Sequence, residues 1–484
     1  MTDALPARLA VIGSGYVGTT VAASFAHVGH HVTAVEIDHH KLRSLRAGRV
    51  PFREPGLEAL LESGLAAGRL RFTDSTLDAV TEADVVFLCV GAPMGSDGRP
   101  DMRMLDSAAR SIGSVITDQV VVNKSTIPVG GARWLASIVQ DGRPARLRAN
   151  PVALVSNPEF LREGTATTDF LHPQRVVLGS DHIAIERVAA VYRPILEQSF
   201  PGGRPESRPV LVRTSPETAE MVKFASNAFL ATKVSFVNEI ANICERVGAD
   251  VGAVSMAMGL DPRIGPRFLE AGIGWGGSCL AKDLKELIAT AEQCDYQPEL
   301  LAAAMAVNGR QRRLVVKKLQ ERLRVLQGRR ICVLGLAFKA GTDDLRDAPA
   351  VEILRQLIEK GAFVTAFDPT VRSVPGLADV GLAHDAYQAA DEADAVILVT
   401  QWPEFLDLDF GKLRSRMRGD LFIDGRNCLD PVKMTLSGFR YECIGGSIGP
   451  VATDHERSDA ADVGEIDVTD FATTSNGHKG LAPA

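Results

Sequence analysis

Short apolar segments alternate with helical patterns along the first part of the chain. Arg8 to Ile12 and His31 to Ile37 have the length and apolar character of strands, and a helical pattern from Thr19 to Val28 lies between them. Two more strand-like segments, Val85 to Val90 and Val120 to Lys124, follow and are also separated by helical stretches. This alternation predicts a parallel sheet with helices on both faces.

A long helical pattern begins at Pro216 and ends at Val247. Ser215 can cap its first turn, Glu217 is favourably placed at the positive end of the helix dipole, and Gly248 is a natural stop. At about 1.5 Å per residue this helix is about 45 Å long, which is more than one small domain covers. We expect it to connect domains and to form a homodimer interface, within a dimer or a larger homo-oligomer.

A second alternation of strands and helices follows the helical middle of the chain. Its predicted strands are Arg330 to Leu334, Ala362 to Asp368, Ala395 to Thr400 and Leu421 to Asp424. The expected fold class is therefore α/β, with two doubly wound Rossmann-like domains joined by a helical core that contains one long central helix. The predicted divisions are residues 1–210 for the first domain, 211–325 for a helical dimerisation domain, 326–447 for the second doubly wound domain, and 448–484 for a polar tail that we expect to be disordered.

Composition and charge exclude several classes of protein. With 45% hydrophobic and 23% charged residues the chain is typical of globular proteins, and its longest apolar runs are no longer than strands. The first residues lack a basic region followed by an apolar one, so we expect a cytoplasmic protein with no membrane segment. A net charge of -7 argues against nucleic acid as a partner.

The seven cysteines are odd in number and never spaced C-x-x-C, which is typical of reduced thiols rather than of a disulfide frame or a zinc site. His27, His30 and His31 fall where the first helix gives way to the second strand, and we interpret them as a solvated turn rather than as metal ligands. We therefore expect no metal ion.

A glycine-rich sequence, GSGYVG, joins the first strand to the first helix. Gly13 permits a tight turn, Gly15 lets the backbone approach a pyrophosphate, and Gly18 lets the helix pack closely on the strand. Glu36 follows at the end of the next strand, where it can accept hydrogen bonds from both ribose hydroxyls and would repel a 2′-phosphate. The pattern predicts NAD rather than NADP as the cofactor, although the positive charge of Lys41 nearby weakens the argument against NADP. The alternative is that no dinucleotide binds here and that the glycines only allow the start of the helix to pack.

A second glycine-rich loop, AGIGWGGSC, places Cys279 at the start of a predicted helix. Unpaired N–H groups and the positive end of the helix dipole stabilise a thiolate, so we expect a reactive cysteine with a lowered pKa. Lys282 adds positive charge, and Asp283 lies four residues after the cysteine on the same helical face. Gly276 and Gly277 are poor packing material, which favours this interpretation over a buried structural cysteine.

Two further sets of polar side chains are candidates for chemistry. Lys223 and Asn227 are four residues apart on the long helix, so they project from one face and could stabilise an oxyanion. Glu159 and Glu163 lie in SNPEFLREG, on what should be a loop at the carboxyl edge of the first sheet. A solvated lysine and asparagine, and a loop salt bridge, are the structural alternatives.

Ordered motifs extend from Arg8 to about Gly446. They are GSGYVG, EPGL from Glu54, CVGAP from Cys89, KSTIPVG from Lys124, NPEFLREG, the helix with Lys223 and Asn227, RIG from Arg263, GGSC, FKAGTDDLRDAPA from Phe338, and DGRN from Asp424. In this order they resemble the UDP-glucose/GDP-mannose dehydrogenase family. The resemblance implies an NAD-binding first domain, a helical dimerisation core and a third domain that holds the nucleotide of a sugar donor.

The resemblance also implies roles for individual residues. Cys279 would be the nucleophile, and Lys223 with Asn227 would stabilise the developing oxyanion. Thr126, Glu159 and Asp283 would handle the proton and the hydrolytic water. The residues implied to contact NAD are Gly13, Gly15, Tyr16, Val17, Gly18, Glu36, Lys41, Pro93, Thr126, Glu163, Lys282 and Arg346. Those implied to bind the nucleotide sugar are Glu159, Phe160, Leu161, Lys223, Asn227, Phe268, Gly272, Gly276, Phe338, Lys339, Arg426, and Arg263 reaching across from a partner subunit.

The implied reaction is a four-electron oxidation of a sugar primary alcohol to the carboxylate. Two molecules of NAD each take a hydride, and Cys279 traps the intermediate aldehyde as a thiohemiacetal that becomes a thioester and is hydrolysed. Leu280 is similar to GDP-mannose members, whereas RIGPRFLEAGIGWGG and NEIANICERVGAD are closer to UDP-glucose members. We therefore expect UDP-glucose as the substrate, with GDP-mannose as the alternative. Ala92, Trp275 and Ala281 depart from the commonest family pattern.

Two other classes of protein compete with this hypothesis. An NAD-binding regulatory protein without turnover would need none of Cys279, Lys223 and Asn227 together. A two-electron dehydrogenase of the hydroxyacid type also joins a nucleotide domain to a helical one, but it needs no thiol.

Overall fold

The computed structural model of the chain describes residues 6–93, 95, 100–181 and 183–446. The tail at 448–484, for which the sequence predicts disorder, lies outside these described residues. None of the helices in the described part of the chain is both long and apolar enough to cross a membrane.

The chain divides into two compact units. The first comprises Met1–Ala228 with Lys282–Pro298, and the second comprises Phe229–Ala281 with Glu299–Ala484. Each unit contains one sheet among its described residues. The predicted domain boundaries after residues 210, 325 and 447 stay predictions.

The strands are short and lie in two sheets. Those of the first sheet are β1 (Arg8–Ile12), β2 (His31–Val35), β3 (Leu70–Thr73), β4 (Val85–Leu88), β5 (Val120–Asn123), β6 (Leu154–Ser156), β7 (Arg175–Gly179) and β8 (Val210–Thr214). Those of the second sheet are β9 (Arg330–Leu334), β10 (Phe363–Phe367), β11 (Gly381–Leu382), β12 (Ala395–Leu398), β13 (Leu421–Asp424) and β14 (Arg440–Glu442).

The helices of the described residues range from one turn to nearly nine turns. In chain order they are α1 (Tyr16–His27), α2 (His39–Arg46), α3 (Leu57–Ala66), α4 (Thr76–Thr81), α5 (Arg103–Val115), α6 (Gly131–Gly142), α7 (Ala166–Leu171), α8 (Ile185–Val191), α9 (Arg193–Glu197), α10 (Pro216–Val247), α11 (Val251–Gly259), α12 (Leu280–Gln293), α13 (Glu299–Leu323), α14 (Pro349–Glu359), α15 (Ala386–Ala389), α16 (Pro403–Leu406), α17 (Phe410–Arg416) and α18 (Pro431–Leu436), with a short 3₁₀ turn at Ala145–Leu147.

The first sheet has the strand order β3-β2-β1-β4-β5-β6-β7-β8, and its neighbours are parallel except for β6 and β7. Leu9 and Val11 of β1 belong to one hydrophobic cluster, whereas Ala10 and Ile12 belong to another. Both faces of the sheet are therefore buried, as the alternation of strands and helices predicts. The strand order reverses between β1 and β4, and the carboxyl ends beside such a reversal form the usual ligand-binding crevice.

The second sheet has the order β11-β10-β9-β12-β13-β14, with all neighbours parallel. From the central strand β9 the chain first adds β10 and β11 on one side and then β12, β13 and β14 on the other. The first sheet is built in the same way around β1. This arrangement confirms the predicted α/β class with two doubly wound domains. Several strands end before the predicted residue: β2 ends at Val35 rather than Ile37, and β12 at Leu398 rather than Thr400. The apolar pattern continues past the last paired residue into the loops at the carboxyl edge.

The long helix α10 has the predicted bounds, Pro216 and Val247. Ser215 Oγ accepts the N–H of Thr218 at 3.2 Å, which confirms the predicted cap. The strand before it, β8, pairs with β7, so the first sheet continues past residue 210 to the start of this helix.

The histidine turn differs from the solvated turn that the sequence predicts. His27 is half-buried and His31 is exposed, but His30 is buried. Its Nδ1 accepts the N–H of Ala7 at 3.1 Å, and its Nε2 lies 2.9 Å from the carbonyl oxygen of Val191. Because both ring nitrogens have main-chain partners, the ring can be buried without an unsatisfied polar atom. Burial lowers the pKa of His30, which keeps the ring neutral.

Candidate functional site

The loop between β1 and α1 has the shape of a dinucleotide-binding turn. Gly13 has a φ of +94°, and a Cβ on Gly18 would lie 1.8 Å from the carbonyl oxygen of Gly13. The tight turn and the close helix packing therefore require both glycines. A Cβ on Gly15 would meet no atom within 4 Å, so the space beside the helix N-terminus is open. Open space next to unpaired helical N–H groups fits the pyrophosphate of a dinucleotide.

Glu36 lies directly after β2, where a contact to the ribose of the cofactor is expected. Its side chain is buried, and Oε1 accepts the N–H of Asp38 at 2.9 Å. Asp38 in turn caps α2 by accepting the N–H groups of His40 and Lys41. Lys41 itself is exposed in the first turn of that helix. The Glu36 carboxylate is thus oriented by the backbone at the carboxyl edge of the sheet.

A buried carboxylate that sequence reasoning missed, Glu54, links the cofactor loop to a second loop of the first unit. Glu54 accepts hydrogen bonds from the Tyr16 hydroxyl and from the N–H groups of Gly164 (2.7 Å) and Ala166 (2.8 Å). Burial and the hydrogen bond to Glu54 raise the pKa of Tyr16, so its hydroxyl stays a donor. Glu163, predicted to contact NAD, directly precedes Gly164. The EPGL motif marked this glutamate, but its partner Gly164 is 110 residues away, so no local pattern indicated the pairing.

Lys223 and Glu159, both predicted to be catalytic, form a buried ion pair. Lys223 Nζ lies 2.8 Å from Glu159 Oε1, and each side chain is less than a tenth exposed. Glu159 Oε2 also accepts the N–H of Leu161 at 2.7 Å. Burial alone would raise the pKa of Glu159, but the charge and hydrogen bond of Lys223, with the N–H of Leu161 and the charge of Lys124, together hold that pKa below its ordinary value. Glu159 is therefore ionised beside the cation.

Asn227 and Asp283 form a second buried polar contact in the same unit. Asn227 Nδ2 donates to Asp283 Oδ2 at 2.5 Å, and Asp283 is only 2% exposed. Burial raises the pKa of Asp283, although the charge of Lys223 opposes this. The structure therefore brings Lys223, Asn227, Glu159 and Asp283 together, although they come from α10, α12 and the loop after β6. A carboxyl group whose pKa is raised beside an amide and a cation is suited to proton transfer.

Lys124, a residue to which sequence reasoning gave no role, is buried behind this cluster. Its Nζ donates to Asn157 Oδ1 at 3.1 Å, and the Tyr192 hydroxyl donates to the same oxygen at 2.6 Å. Burial lowers the pKa of Lys124 to about 8, and its charge helps to lower the pKa of Glu159. The signal was the KSTIPVG motif, in which a lysine directly follows a buried strand.

The remaining predicted residues of the first unit occupy varied positions. Thr126 is half-buried in the loop between β5 and α6 and lines a small cavity with Lys223. The Phe160 ring has the Arg175 guanidinium 4.1 Å and Lys223 Nζ 5.9 Å from its centre. Of the others, Val17 is half-buried in α1, Pro93 is exposed, Leu161 is half-buried, and Lys282 is in the first turn of α12.

All seven cysteines are free thiols, and their environments differ. Cys279 is exposed directly before α12, with its Sγ 3.6 Å from Ser278 Oγ, and Cys294 is exposed after the same helix. Burial raises the pKa of Cys89 to about 12 and that of Cys443 to about 11, which keeps both as thiols. Exposure and a position at a helix start thus distinguish Cys279 from the buried cysteines.

The glycine loop before Cys279 is closely packed within the second unit, which corrects the expectation that its glycines are poor packing material. A Cβ on Gly276 would lie 2.3 Å from the carbonyl oxygen of Asp347, and one on Gly277 would lie 2.7 Å from the Phe338 ring. Gly277 also has a φ of +91°. Gly276 allows two backbone segments to approach each other and Gly277 leaves room for the Phe338 ring, so both glycines serve packing directly.

Side chains of α10 and α13 hold the same loop through its backbone. Asn308 accepts the N–H of Trp275 at 2.9 Å and donates to its carbonyl at 3.0 Å. At Gly272, Asn238 accepts the N–H at 2.8 Å and Gln311 donates to the carbonyl at 2.7 Å. Sequence reasoning missed these three amides, because an amide on a helical pattern resembles a solvated residue until its partner is known.

Three residues predicted to bind the nucleotide sugar lie near this loop in the second unit. Arg426 donates from Nε to the Val399 carbonyl at 2.7 Å and from Nη1 to the Gly274 carbonyl at 3.0 Å. Burial lowers the pKa of Arg426 to about 10, so it remains a cation at neutral pH. Phe338 packs against Gly277, and Lys339 Nζ lies 5.5 Å from the centre of the Phe338 ring.

Other predicted residues of the second unit have local contacts or local backbone features. Arg263 is exposed and forms a bidentate contact with Asp261. Arg346 is also exposed and is paired with Asp344 at 2.7 Å. Phe268 is half-buried with a φ of +64°.

The first unit has the fold and the polar groups of a dinucleotide-dependent oxidoreductase. Its sheet reversal lies beside a glycine turn with open space, a carboxylate ends the second strand, and a cation and a carboxyl group with a raised pKa lie buried together. No group of three or more His, Cys, Asp or Glu side chains suited to a metal ion is found among the described residues.

Three family models match successive parts of the chain. The NAD binding domain of the UDP-glucose/GDP-mannose dehydrogenase family matches residues 7–196, its central domain residues 217–310, and its UDP binding domain residues 332–431. The chain therefore belongs to the UDP-glucose/GDP-mannose dehydrogenase family and is an NAD-dependent dehydrogenase.

Relatives are similar over almost their whole length. The UDP-glucose 6-dehydrogenase of Pseudomonas aeruginosa is 42% identical over 449 residues, covering 90% of this chain and 97% of the relative. That of Rhizobium meliloti is 43% identical over 446 residues, covering 90% and 99%. The structure of a UDP-glucose dehydrogenase from the archaeon Pyrobaculum islandicum has a TM-score of 0.82 and 37% identity, covering 92% of this chain and 99% of that one.

Proposed function

We propose that this enzyme oxidises the C6 primary alcohol of UDP-glucose to the carboxylate, giving UDP-glucuronate. The observation that carries the proposal is the exposed Cys279 at the start of α12, the helix whose first turn brings Asp283 to Asn227. UDP-glucose is favoured over GDP-mannose because the relatives from P. aeruginosa and R. meliloti, similar over 90% of this chain, are UDP-glucose 6-dehydrogenases.

The glycine turn at Gly13 to Gly18 and Glu36 would hold NAD, which would supply the hydride acceptor for each of two oxidations. The first oxidation converts the alcohol carbon to an aldehyde, with one proton released. An aldehyde has no tetrahedral carbon from which a hydride can leave, so a nucleophile must add first. The Cys279 sulfur forms that bond and gives a thiohemiacetal. Its oxidation gives a thioester, and water then displaces the sulfur to release the carboxylate and the thiol.

The buried polar cluster is suited to the charges that develop in these steps. Lys223 and Asn227 can donate to the oxygen of the reacting carbon, whose negative charge grows when the alcohol is deprotonated and when sulfur or water adds. Asp283, whose pKa burial raises, can take and return a proton. Glu159 stays ionised beside Lys223, and with Thr126 it can orient the hydrolytic water.

The stoichiometry of NADH formation tests the proposal. With limiting UDP-glucose, we expect two NADH per sugar nucleotide consumed, measured by absorbance, and none of the acid from Cys279→Ser. Cys294→Ser is the matched control, because Cys294 is also an exposed thiol, at the other end of α12, and should keep normal turnover. One NADH per substrate would contradict the four-electron reaction, and no NADH would favour a regulatory protein. Greater turnover with GDP-mannose than with UDP-glucose would reassign the substrate.

We also propose a homodimer formed through α10, with Arg263 of one subunit reaching the nucleotide sugar of the other. Support comes from four of the five exposed large apolar side chains of this helix: Phe229 (65%), Phe236 (47%), Ile243 (50%) and Val247 (71%). Their spacing of seven, seven and four residues places them on one helical face. Two copies of such a face can cover each other about a twofold axis.

Two finer expectations belong to the same proposal. A cytoplasmic location is supported by the exposed thiols, which a reducing compartment preserves. The domain divisions at 1–210, 211–325 and 326–447 are supported by the three successive regions that match the family.

A further inference from the structure

Glu220 is a buried carboxylate on α10, three residues before Lys223, and it is only 4% exposed. Its Oε2 accepts the N–H of Gly130 at 2.7 Å. Its Oε1 accepts the N–H of Ala132 at 2.9 Å and the Ser156 hydroxyl at 3.2 Å. The two oxygens of one carboxylate therefore hold three donors, all within the first unit.

These three donors lie beside residues to which the proposed function gives roles. Gly130 and Ala132 flank the start of α6 and end the loop that contains Thr126. Ser156 ends β6, three residues before Glu159. Glu220 itself shares a helix with Lys223 and Asn227, so one side chain ties together the three segments that carry these groups.

A common cavity indicates that the three segments face one space. Thr126, Ser156, Glu220 and Lys223 are all among its lining residues. A shift of the Thr126 loop relative to α10 would therefore alter the distance between Thr126 and Lys223 directly.

The hydrogen-bond partners of Glu220 among the described residues carry no charge, which makes its burial costly. An ionised carboxylate loses hydration when it is buried, and an uncharged side chain of similar shape would avoid that loss. Only a carboxylate offers two acceptor oxygens that can bind two backbone N–H groups at a helix start at once. The hydrogen bonds to the N–H groups of Gly130 and Ala132 therefore explain why a carboxylate is buried at position 220.

We propose that Glu220 is a positioning residue, which fixes the Thr126 loop and the Glu159 loop against the helix that carries Lys223 and Asn227. It acts through these two loops rather than on the substrate. The inference rests on the proposed function of this same site.

Glu220→Gln tests the proposal with almost no change of shape. The amide has a single acceptor oxygen, and its NH2 group would face one of the two backbone N–H groups. We expect kcat to fall by about ten- to hundred-fold, as for a misplaced reacting group, with KM for NAD within about twofold of wild type. Glu217→Gln is the matched control. Glu217 lies one turn before Glu220 on α10 and pairs with Arg133 of α6, the helix whose start Glu220 contacts. Because this pair lies at the surface, kcat should be unchanged.

A double-mutant cycle separates positioning from general loss of structure. If Glu220 acts through the Thr126 loop as well as the Glu159 loop, the kcat loss in the Glu220→Gln/Thr126→Ala variant should be smaller than the product of the two single losses. Losses that multiply in the double variant would overturn the proposal, as would a Glu220→Gln kcat within twofold of wild type.

Hydrogen exchange gives a readout that does not depend on the substrate. In Glu220→Gln the amides of residues 124–132 should exchange faster than in wild type and in Glu217→Gln, measured by mass spectrometry of that peptide. Unchanged exchange would overturn the positioning role whatever the activity. If wild type does not turn over UDP-glucose but the Glu220→Gln variant still exchanges faster, the proposed function is refuted and the structural role of the Glu220 contact is retained.

Discussion

At the scale of single residues, Lys124 is a side chain whose protonation is altered by burial. It is 4% exposed and has Asn157 Oδ1 as its hydrogen-bond acceptor. Loss of hydration lowers its pKa from 10.5 to about 8. The charge of Lys124 adds to that of Lys223 in lowering the pKa of Glu159, so this buried cation helps to keep Glu159 ionised.

The lowered pKa of Lys124 predicts a definite pH dependence of stability. Between about pH 8 and pH 10 the unfolded chain binds this proton and the folded chain releases it, so the free energy of unfolding rises with pH. A shift from 10.5 to about 8 corresponds to about 3 kcal/mol. Lys124→Met removes the titration, so wild type should gain stability relative to this variant between about pH 7 and pH 10. Thermal unfolding of both proteins at both pH values measures the gain, and a pH-independent difference would contradict it.

The sequence could predict single residues of the site but not their pairings. Cys279, Lys223 and Asn227 stood out because a glycine loop, a helix start and a four-residue spacing are local signals. The Lys223 to Glu159 pair is 64 residues apart and the Asn227 to Asp283 pair is 56 apart, so neither is visible in a window of sequence.

At the scale of elements, the loop before Cys279 is tightly constrained within the second unit. Its backbone is bonded by Asn308 at Trp275 and by Asn238 and Gln311 at Gly272. Gly272 and Gly276 lie against backbone, and Gly274 and Gly277 lie against the Asn308 and Phe338 side chains, so none of the four has room for a side chain. A loop held in this way is rigid, as a site that orients a substrate requires.

Gly276→Ala should destabilise the enzyme. The new methyl group would lie 2.3 Å from the Asp347 carbonyl oxygen, so backbone must move. Such overpacking costs about 2 kcal/mol, or roughly 4 to 8 °C in Tm, and we expect a higher KM for UDP-glucose as well.

Gly309→Ala is the control for this prediction. Gly309 lies inside α13, and the nearest atom to a new Cβ is Arg313 Nη1 at 4.0 Å. Alanine favours the helix, so this variant should be more stable by up to about 1 kcal/mol. Equal Tm changes in the two variants would show that the Asp347 contact is not the cause.

The elements predicted from the chain occur in the predicted order, but β3, β6, β7, β8, β11 and β14 were not predicted, and element ends were less predictable than element types. The long helix has the predicted bounds because its cap, its dipole partner and its stopping glycine are all adjacent in sequence. Strand ends differed because apolar residues such as Ile37 continue after the last paired position, and hydropathy does not report pairing.

At the scale of the whole molecule, the exposed face of α10 predicts a dimer. Phe236→Glu combined with Ile243→Glu would place charges on both copies of that face, so the variant should sediment as a monomer at concentrations where wild type is a dimer. Leu436→Glu on α18 is the control, since Leu436 is 84% exposed and lies away from this helix in sequence. Sedimentation velocity measures the outcome. A monomeric wild type, or a double variant that remains dimeric, would refute the α10 interface.

The sequence by itself determined the α/β class, the two doubly wound sheets, the cofactor turn and the position of Cys279. Each of these depends on residues close together in the chain, where periodicity, glycine conformation and helix capping operate. The tertiary structure alone decided which side chains share a buried space: Glu220 with the Thr126 loop, Glu54 with Tyr16, and His30 with the Val191 carbonyl. Pairing and burial depend on the segments that the fold brings together, and a polar residue looks the same in sequence whether its partner is water or a distant amide.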